Sequence, residues 1–118
     1  LGVRVEVVNA GARDLARSDC RGQAALVTAR AFGPPAVTAE IGAGLLAVGG
    51  TLVVSEPPPR DGVDPVERWP SAGISRLGLV DAGRWHSGMF GYQALLCASA
   101  IPDRFPRRGP AMASDPVF

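Results

Sequence analysis

Arginine supplies most of the chemistry this sequence can offer. Arg104, Arg107 and Arg108 form its only dense basic cluster and flank Phe105. Guanidinium groups beside an aromatic ring suit contact with phosphates and bases. A solvated tail would carry the same residues, and Ser114-Asp115 follows where further basic residues would strengthen an RNA contact. Arg30 closes a run of small and β-branched residues. A guanidinium there can fork onto a carboxylate or a phosphate, or simply cap a strand end and pair with a nearby acid. The lone His86 falls in a strand pattern, where a surface or strand-end histidine is the plainer reading than a base. Trp69 and Trp85 read as packing residues rather than base-stacking platforms.

Several constellations are missing. The sequence has no GxSxG elbow, no HExxH and no Cys/His cluster at metal-ligand spacing, so no catalytic residue and no metal site are assigned. A dinucleotide- or nucleotide-binding domain of the α/β class needs a Gly-rich turn between its first strand and the next helix. Gly42-Ala43-Gly44 lies inside a helical pattern, and Gly49-Gly50 precedes a strand pattern and reads as a helix C-cap.

The chain of 118 residues can hold one small domain, and 47% hydrophobic residues are enough for a core. All 12 basic residues are arginine, six before Asp61 and six after it, and the net charge is +1. That balance leaves room for a local basic patch but gives no domain-wide footprint for nucleic acid. Cys20 and Cys97 do not make a disulfide framework, so the expected compartment is the reducing cytoplasm. No apolar run approaches the ~20 residues of a membrane span, and no membrane partner is expected.

The elements that must position these residues follow from periodicity. Val3, Val5 and Val7 alternate with Arg4 and Glu6, which predicts a strand over residues 3–8. A short helix is expected over 12–18, and a strand over 24–29 apolar enough to be buried on both faces. Gly33-Pro34-Pro35 starts a helix carrying Val37, Ile41, Leu45 and Val48, stopped by Gly49-Gly50 before a strand at 51–55. Residues 57–70 read as a surface loop and 70–77 as a brief helix. Strands at 79–86 and 91–99, joined at Ser87-Gly88, make an antiparallel hairpin. Residues 101–118, with four prolines, read as an irregular Arg/Pro-containing tail to a domain of residues 1–100. This order predicts an α/β fold of parallel strands with crossover helices, followed by the hairpin.

Taken together, Val27-Thr28-Ala29-Arg30-Ala31-Phe32, Pro34-Pro35-Ala36-Val37-Thr38-Ala39-Glu40 and Gly49-Gly50-Thr51-Leu52-Val53-Val54-Ser55-Glu56-Pro57-Pro58 resemble the glucose-inhibited division protein B family. Arg68-Trp69-Pro70, Leu77-Gly78-Leu79 and Arg104-Phe105-Pro106-Arg107-Arg108 extend the resemblance in the same order over nearly the whole chain. It implies a methyltransferase that uses S-adenosylmethionine to methylate guanine N7 in small-subunit ribosomal RNA. The fold implied is a Rossmann-like class I methyltransferase sheet, with the strands here standing as its third to seventh.

On that resemblance the cofactor loop and the ribose-binding acid belong to the family's first two strands, which would precede Leu1. The opening Leu1 and the immediate strand pattern are read as those of a piece of a longer protein. Ala12 and Arg13 match the place of the adenine contact, with Arg13 standing where the family has an acid and Asp14 one residue later. Arg30 matches a family Arg at the cofactor and substrate end of its strand, and Arg104, Arg107 and Arg108 match the RNA-facing tail. In the family the first and second strands lie between the third and fourth. Without them the edges of residues 3–8 and 24–29 are open, and self-association through those edges is expected. Two alternatives stand beside the ribosomal RNA enzyme: a non-enzymatic binding or assembly relic of the family, and a methyltransferase acting on a small molecule.

Overall fold

In a computed structural model, residues 2–58 and 64–118 are described. The expected loop at 57–70 is thus seen only at its two ends. The chain forms α1 (Ala12–Leu15), β1 (Ala24–Ala29), α2 (Pro35–Leu45) and β2 (Leu46–Glu56). A 3-10 turn (Pro65–Arg68) then leads to α3 (Ser71–Ser75), β3 (Leu79–Ser87), β4 (Phe90–Cys97) and α4 (Gly109–Ser114). The result is a mixed α/β fold around one open four-stranded sheet, ordered β1-β2-β4-β3. β1 and β2 are parallel, joined by α2 as the crossover, and both pairs made by β4 are antiparallel. The hairpin partner β4 therefore inserts between β2 and β3.

Residues 3–8 form no strand. Val3, Val5 and Val7 are 90%, 76% and 89% exposed. Period-two alternation makes a segment fit to be a strand, but a strand exists only where its N–H and C=O groups find a ladder, and none is offered here. β1 keeps its expected bounds yet is not buried on both faces. It is an edge strand with β2 on one side, and Leu26 is 60% exposed.

The helix begins where expected, with Pro34 as N-cap and Pro35 in its first turn, where a missing N–H costs nothing. It ends earlier than expected. Leu46 is already extended and pairs with Ala24, so Val48 and Gly49-Gly50 belong to β2 and not to a helix end. Gly49 has φ +89° and sits at a register shift between β1 and β2. A Cβ on Gly50 would lie 2.7 Å from the Ala24 carbonyl oxygen, so only glycine lets the strands approach there.

One sheet face carries the main core. Gly50, Leu52 and Val54 of β2 are buried, whereas Thr51, Val53 and Ser55 between them are half-buried. Leu52 belongs to one buried cluster with Ala39 and Ala43 of α2, Ile74 of α3, Leu79, Leu95 and Cys97 of the hairpin, and Ile101, Phe105 and Val117 beyond it. The tail is not irregular throughout, because α4 spans Gly109–Ser114 within it, and it supplies core residues. Arg13, Arg17 and Arg21 bind it from the α1 side, donating to the carbonyls of Arg107, of Asp103 and Pro106, and of Pro102 and Phe105 respectively.

The hairpin forms as expected, with Gly88 at φ +60° in its turn. Its interior is tied by Gln93, which is fully buried and donates to Asp81 Oδ1 at 2.9 Å and to the Gly83 carbonyl at 3.3 Å. The same side chain accepts from Arg84 Nε. A satisfied buried amide of this kind fixes the hairpin's register, and with it the position of Phe90 at the tip.

Candidate functional site

The carboxyl ends of the two parallel strands and the hairpin tip enclose a cleft of about 720 Å³. In open α/β sheets ligands bind outside the carboxyl ends of the strands. β1 ends at Ala29 and delivers Arg30 to this cleft; β2 ends with Ser55 and Glu56 in its wall, and Phe90 closes it from the hairpin. Ala31 takes φ +51°, a left-handed conformation costly for a residue with a Cβ. That bend carries the chain from Arg30 to Phe32 and on to the start of α2, where Thr38 Oγ1 donates to the Gly33 carbonyl at 3.3 Å. Strain held at a strand end beside a cleft is the form functional turns take.

Arg30 makes no salt bridge among the described residues. Its guanidinium carbon stands 6.0 Å from the centre of the Phe90 ring, an arrangement attractive to both groups. The strand-end ion pair considered from sequence is therefore not formed among the described residues. Phe32 and Phe90 are 48% and 50% exposed, an unusual amount of aromatic surface left to water.

Deeper in the wall, Glu56 Oε2 accepts from Arg68 Nε at 2.8 Å. The other oxygen, Glu56 Oε1, is buried without a partner, and so is Trp69 Nε1. Each such group costs about 1–3 kcal/mol relative to a satisfied one. Trp69 itself is buried as expected, with its ring 6.2 Å from that of Phe118. His86 also lines the cleft and is exposed.

A narrower groove of about 120 Å³ runs between β1 and α2 and shares Phe32 and Thr38 with the cleft. Ala12 lines it. Ala12 and Arg30 are thus placed on two connected depressions. Arg13 does not join them, because its Nε donates to the Arg107 carbonyl at 3.1 Å and its Nη1 meets Asp14 at 3.2 Å.

The tail arginines divide. Arg107 is engaged by Glu40, which accepts from its backbone N–H at 2.6 Å and its guanidinium at 2.9 Å. Those hydrogen bonds hold the Arg107 guanidinium above its ordinary pKa, so its charge is permanent and already matched. Arg104 and Arg108 are exposed and make no salt bridge among the described residues, and Arg104 lies over Phe105 at 4.7 Å.

Sequence reasoning missed Glu56, Phe32 and Phe90 as site residues. The available signal was positional: each lies at or just past a strand terminus on the side where Arg30 emerges. Among the described residues no group of three or more His, Cys, Asp or Glu is placed to hold a metal ion, and no helix is long and apolar enough to cross a membrane. No protein-family model matches the chain, and no curated protein matches it.

Proposed function

We propose that this chain is the carboxyl-terminal part of an S-adenosylmethionine-dependent methyltransferase acting on guanine N7 of small-subunit ribosomal RNA. Its sheet would be the latter half of a Rossmann-like one, completed along the free edge of β1. The observation that carries this is Arg30: the parallel strand beside that edge ends in a guanidinium with no acid partner among the described residues, in an aromatic-lined cleft. The crossover from β1 through α2 to β2, then the hairpin, supports the reading for the fourth to seventh strands the family resemblance implies, while residues 3–8, expected as the third, form no strand.

The residues present fit the cofactor in part. Arg30 would meet its anionic end and Ala12 would line the adjoining groove, whereas Arg13 is committed to the tail. The polar grip of a Gly-rich turn would come from a strand beside β1. When bound, S-adenosylmethionine supplies an electrophilic methyl group on a sulfonium. The side chains here orient the acceptor and keep water away from it. Guanine N7 carries its own lone pair, so no proton need be removed, and rate enhancement comes from alignment. Glu56, the acid in the cleft wall, is tied to Arg68 and is not needed as a base. Arg104 and Arg108 are free to attract RNA phosphates.

The engagement of Arg107 by Glu40 favours a second reading in one respect. It thins the basic cluster and allows the methyl acceptor to be a small molecule. Methyl transfer by the full-length protein to small ribosomal subunits, their naked RNA and a metabolite panel decides between them. The expected product is N7-methylguanosine in the RNA digest. Labelled metabolites with unlabelled RNA would establish the second reading, and no transfer to either would overturn both.

A further inference from the structure

We infer that the sheet face opposite the main core is a dimer interface, on which a second copy of this chain packs sheet against sheet. Directly paired residues on neighbouring strands point to one side of a sheet. Leu52 and Leu95 are partners on the core side, so Thr51, Val53 and Ser55 of β2 share the other side with Leu96, Ala94 and Tyr92 of β4. The pairing carries that side outward to Val80 and Trp85 of β3 and to Leu26 and Thr28 of β1. A sheet with one solvated face alternates apolar-in with polar-out. This face breaks that rule: none of these residues is charged, and Leu26, Val80 and Trp85 are 60%, 42% and 44% exposed. Asp81 and Arg84 of the hairpin pair with Leu95 and Gln93 and so belong to the core side. A continuous apolar surface of this kind marks a contact with another macromolecule.

The two halves of the face are unlike, and each suits the other. The β3–β4 half carries bulk: the Trp85 and Tyr92 rings stack at 5.4 Å and 24°, on the same side as Leu96 and Val80. The β1–β2 half carries the smaller Thr28, Val53 and Ser55, which with Phe90 and Tyr92 line a hollow of about 300 Å³. Arg30 borders that hollow, just past the end of β1. A two-fold axis running along the strands reverses their order, so β3 of each copy lies over β1 of the other and β4 over β2. Trp85, Tyr92 and Ser55 sit at one level of the sheet, the level of the hollow, so each Trp85 enters the hollow of the other copy. Such a contact is isologous, and a face without charge meets its own copy without like-charge repulsion. Two sheets pack in this way about 10 Å apart, with strands within about 30° of each other. Four strands, with β4 eight residues long, make a face of roughly 500 Å². Two copies then bury about 1,000 Å², the lower bound of a specific interface, and Trp and Tyr are the anchors such interfaces favour. Single-stranded nucleic acid also stacks on aromatic rings, but it needs cations along the groove, and these strand positions hold none.

Sedimentation and acrylamide quenching of tryptophan fluorescence, read over one concentration series through the micromolar range, test this on the chain itself. Trp69 is 1% exposed, so the quencher reports on Trp85. Average mass should rise with concentration, and quenching should fall severalfold along with it. Trp85→Ala should weaken the dimer by roughly thirtyfold, the worth of a central aromatic anchor. Val53→Lys should leave no face-to-face dimer, because it sets an ammonium without a partner between the two sheets. Circular dichroism checks that each variant is folded. If neither folds, the joint change of mass and quenching in the parent chain still decides. A monomer at every concentration overturns the inference. So does a rise in mass with Trp85 quenching unchanged, which marks pairing through the β1 edge alone. A monomer whose Trp85 is shielded by a single-stranded oligoribonucleotide also overturns it, and assigns the face to nucleic acid. None of these outcomes depends on methyl transfer, so the inference stands or falls apart from the methyltransferase reading.

Discussion

Glu40, 1% exposed in the middle of α2, takes both the backbone N–H and the guanidinium of Arg107, which lies 67 residues further along the chain. The pair joins the crossover helix to the tail, and Arg107 also faces the Phe105 ring at 5.5 Å. Removing one partner of a buried pair leaves the other uncompensated. Arg107→Ala, which strands the buried Glu40 carboxylate, should cost about 3–5 kcal/mol of stability, and Glu40→Ala should fall at the low end of that range, because the Arg107 side chain it strands is 21% exposed and keeps Asp115 at 3.6 Å. Denaturant unfolding monitored by circular dichroism measures both. A loss under about 1 kcal/mol for Glu40→Ala would mean that the pair is an ordinary surface contact.

A second expectation concerns Gly50. Its missing side chain would meet backbone oxygens of Ala24, Ala47 and Ala25 at 2.7, 2.9 and 3.1 Å. Backbone on every side cannot yield as a flexible side chain would, so Gly50→Ala should destabilise by about 1–3 kcal/mol. In hydrogen exchange, the β1 amides should be the first to lose protection. Unchanged exchange in β1 would show that the strands tolerate a wider spacing.

These two sites also show where the sequence could and could not be read. Proline at the start of α2 and the Ser87-Gly88 turn act through local backbone geometry, so both elements fall where local rules put them. Gly49-Gly50 follows a helical pattern and precedes a strand, and a C-cap is the local answer. It is overruled because Ala24 and Leu46 pair across the sheet, a pairing no local window contains. Residues 3–8 fail the other way: their alternation is right, but a strand needs a neighbour. In the candidate site Arg30 was legible because it ends a strand. Glu56 was not, because its unpartnered oxygen depends on Arg68 taking only one side of the carboxylate. Arg107 looked like its exposed neighbours until Glu40 was placed beside it.

The two cysteines should separate by reactivity. Cys20 is exposed, whereas Cys97 is buried in the main core and burial raises its thiol pKa above the ordinary 9.0. Iodoacetamide should therefore label Cys20 in the native protein and Cys97 only on unfolding. The linkage has a sign. A raised folded-state pKa means that stability is fully present below 9.0 and declines as pH rises from there through the folded pKa. Unfolding free energies across the alkaline range, compared with those of Cys97→Ala, measure that decline; an equal slope in the variant would assign it to other groups.

Isolated in solution, the chain should self-associate. The outer edge of β1 has unpaired N–H and C=O groups, Leu26 is exposed upon it, and the valines of residues 3–8 are exposed nearby in sequence. Sedimentation over a concentration series should show a rising average mass, and Leu26→Lys should lower it by setting like charges against each other in any edge-to-edge pair. A concentration-independent monomer would mean that the edge is protected by its own twist.

The last expectation separates the two kinds of arginine in the full-length protein. Arg30 lies where a parallel strand opens into the cleft, and a charge so placed acts on whatever is aligned there. Arg30→Ala should lower methyl transfer by roughly tenfold or more, the worth of one charge-assisted hydrogen bond, with little dependence on salt. Arg104 and Arg108 are exposed cations that act through phosphate attraction, which is additive and screened. Arg104→Ala with Arg108→Ala should weaken RNA binding and flatten its salt dependence by about 0.7 in log–log slope for each single-strand phosphate no longer neutralised. The rate at saturating RNA should stay near the parent's. Arg107→Ala is the wrong reporter for this purpose: it breaks the Glu40 pair, so weaker binding would record a damaged structure. Methylation of small ribosomal subunits at several salt concentrations, with each variant first shown to be folded, supplies the comparison. Full activity in folded Arg30→Ala would remove the residue from the site, leaving its contact with the Phe90 ring as its main role.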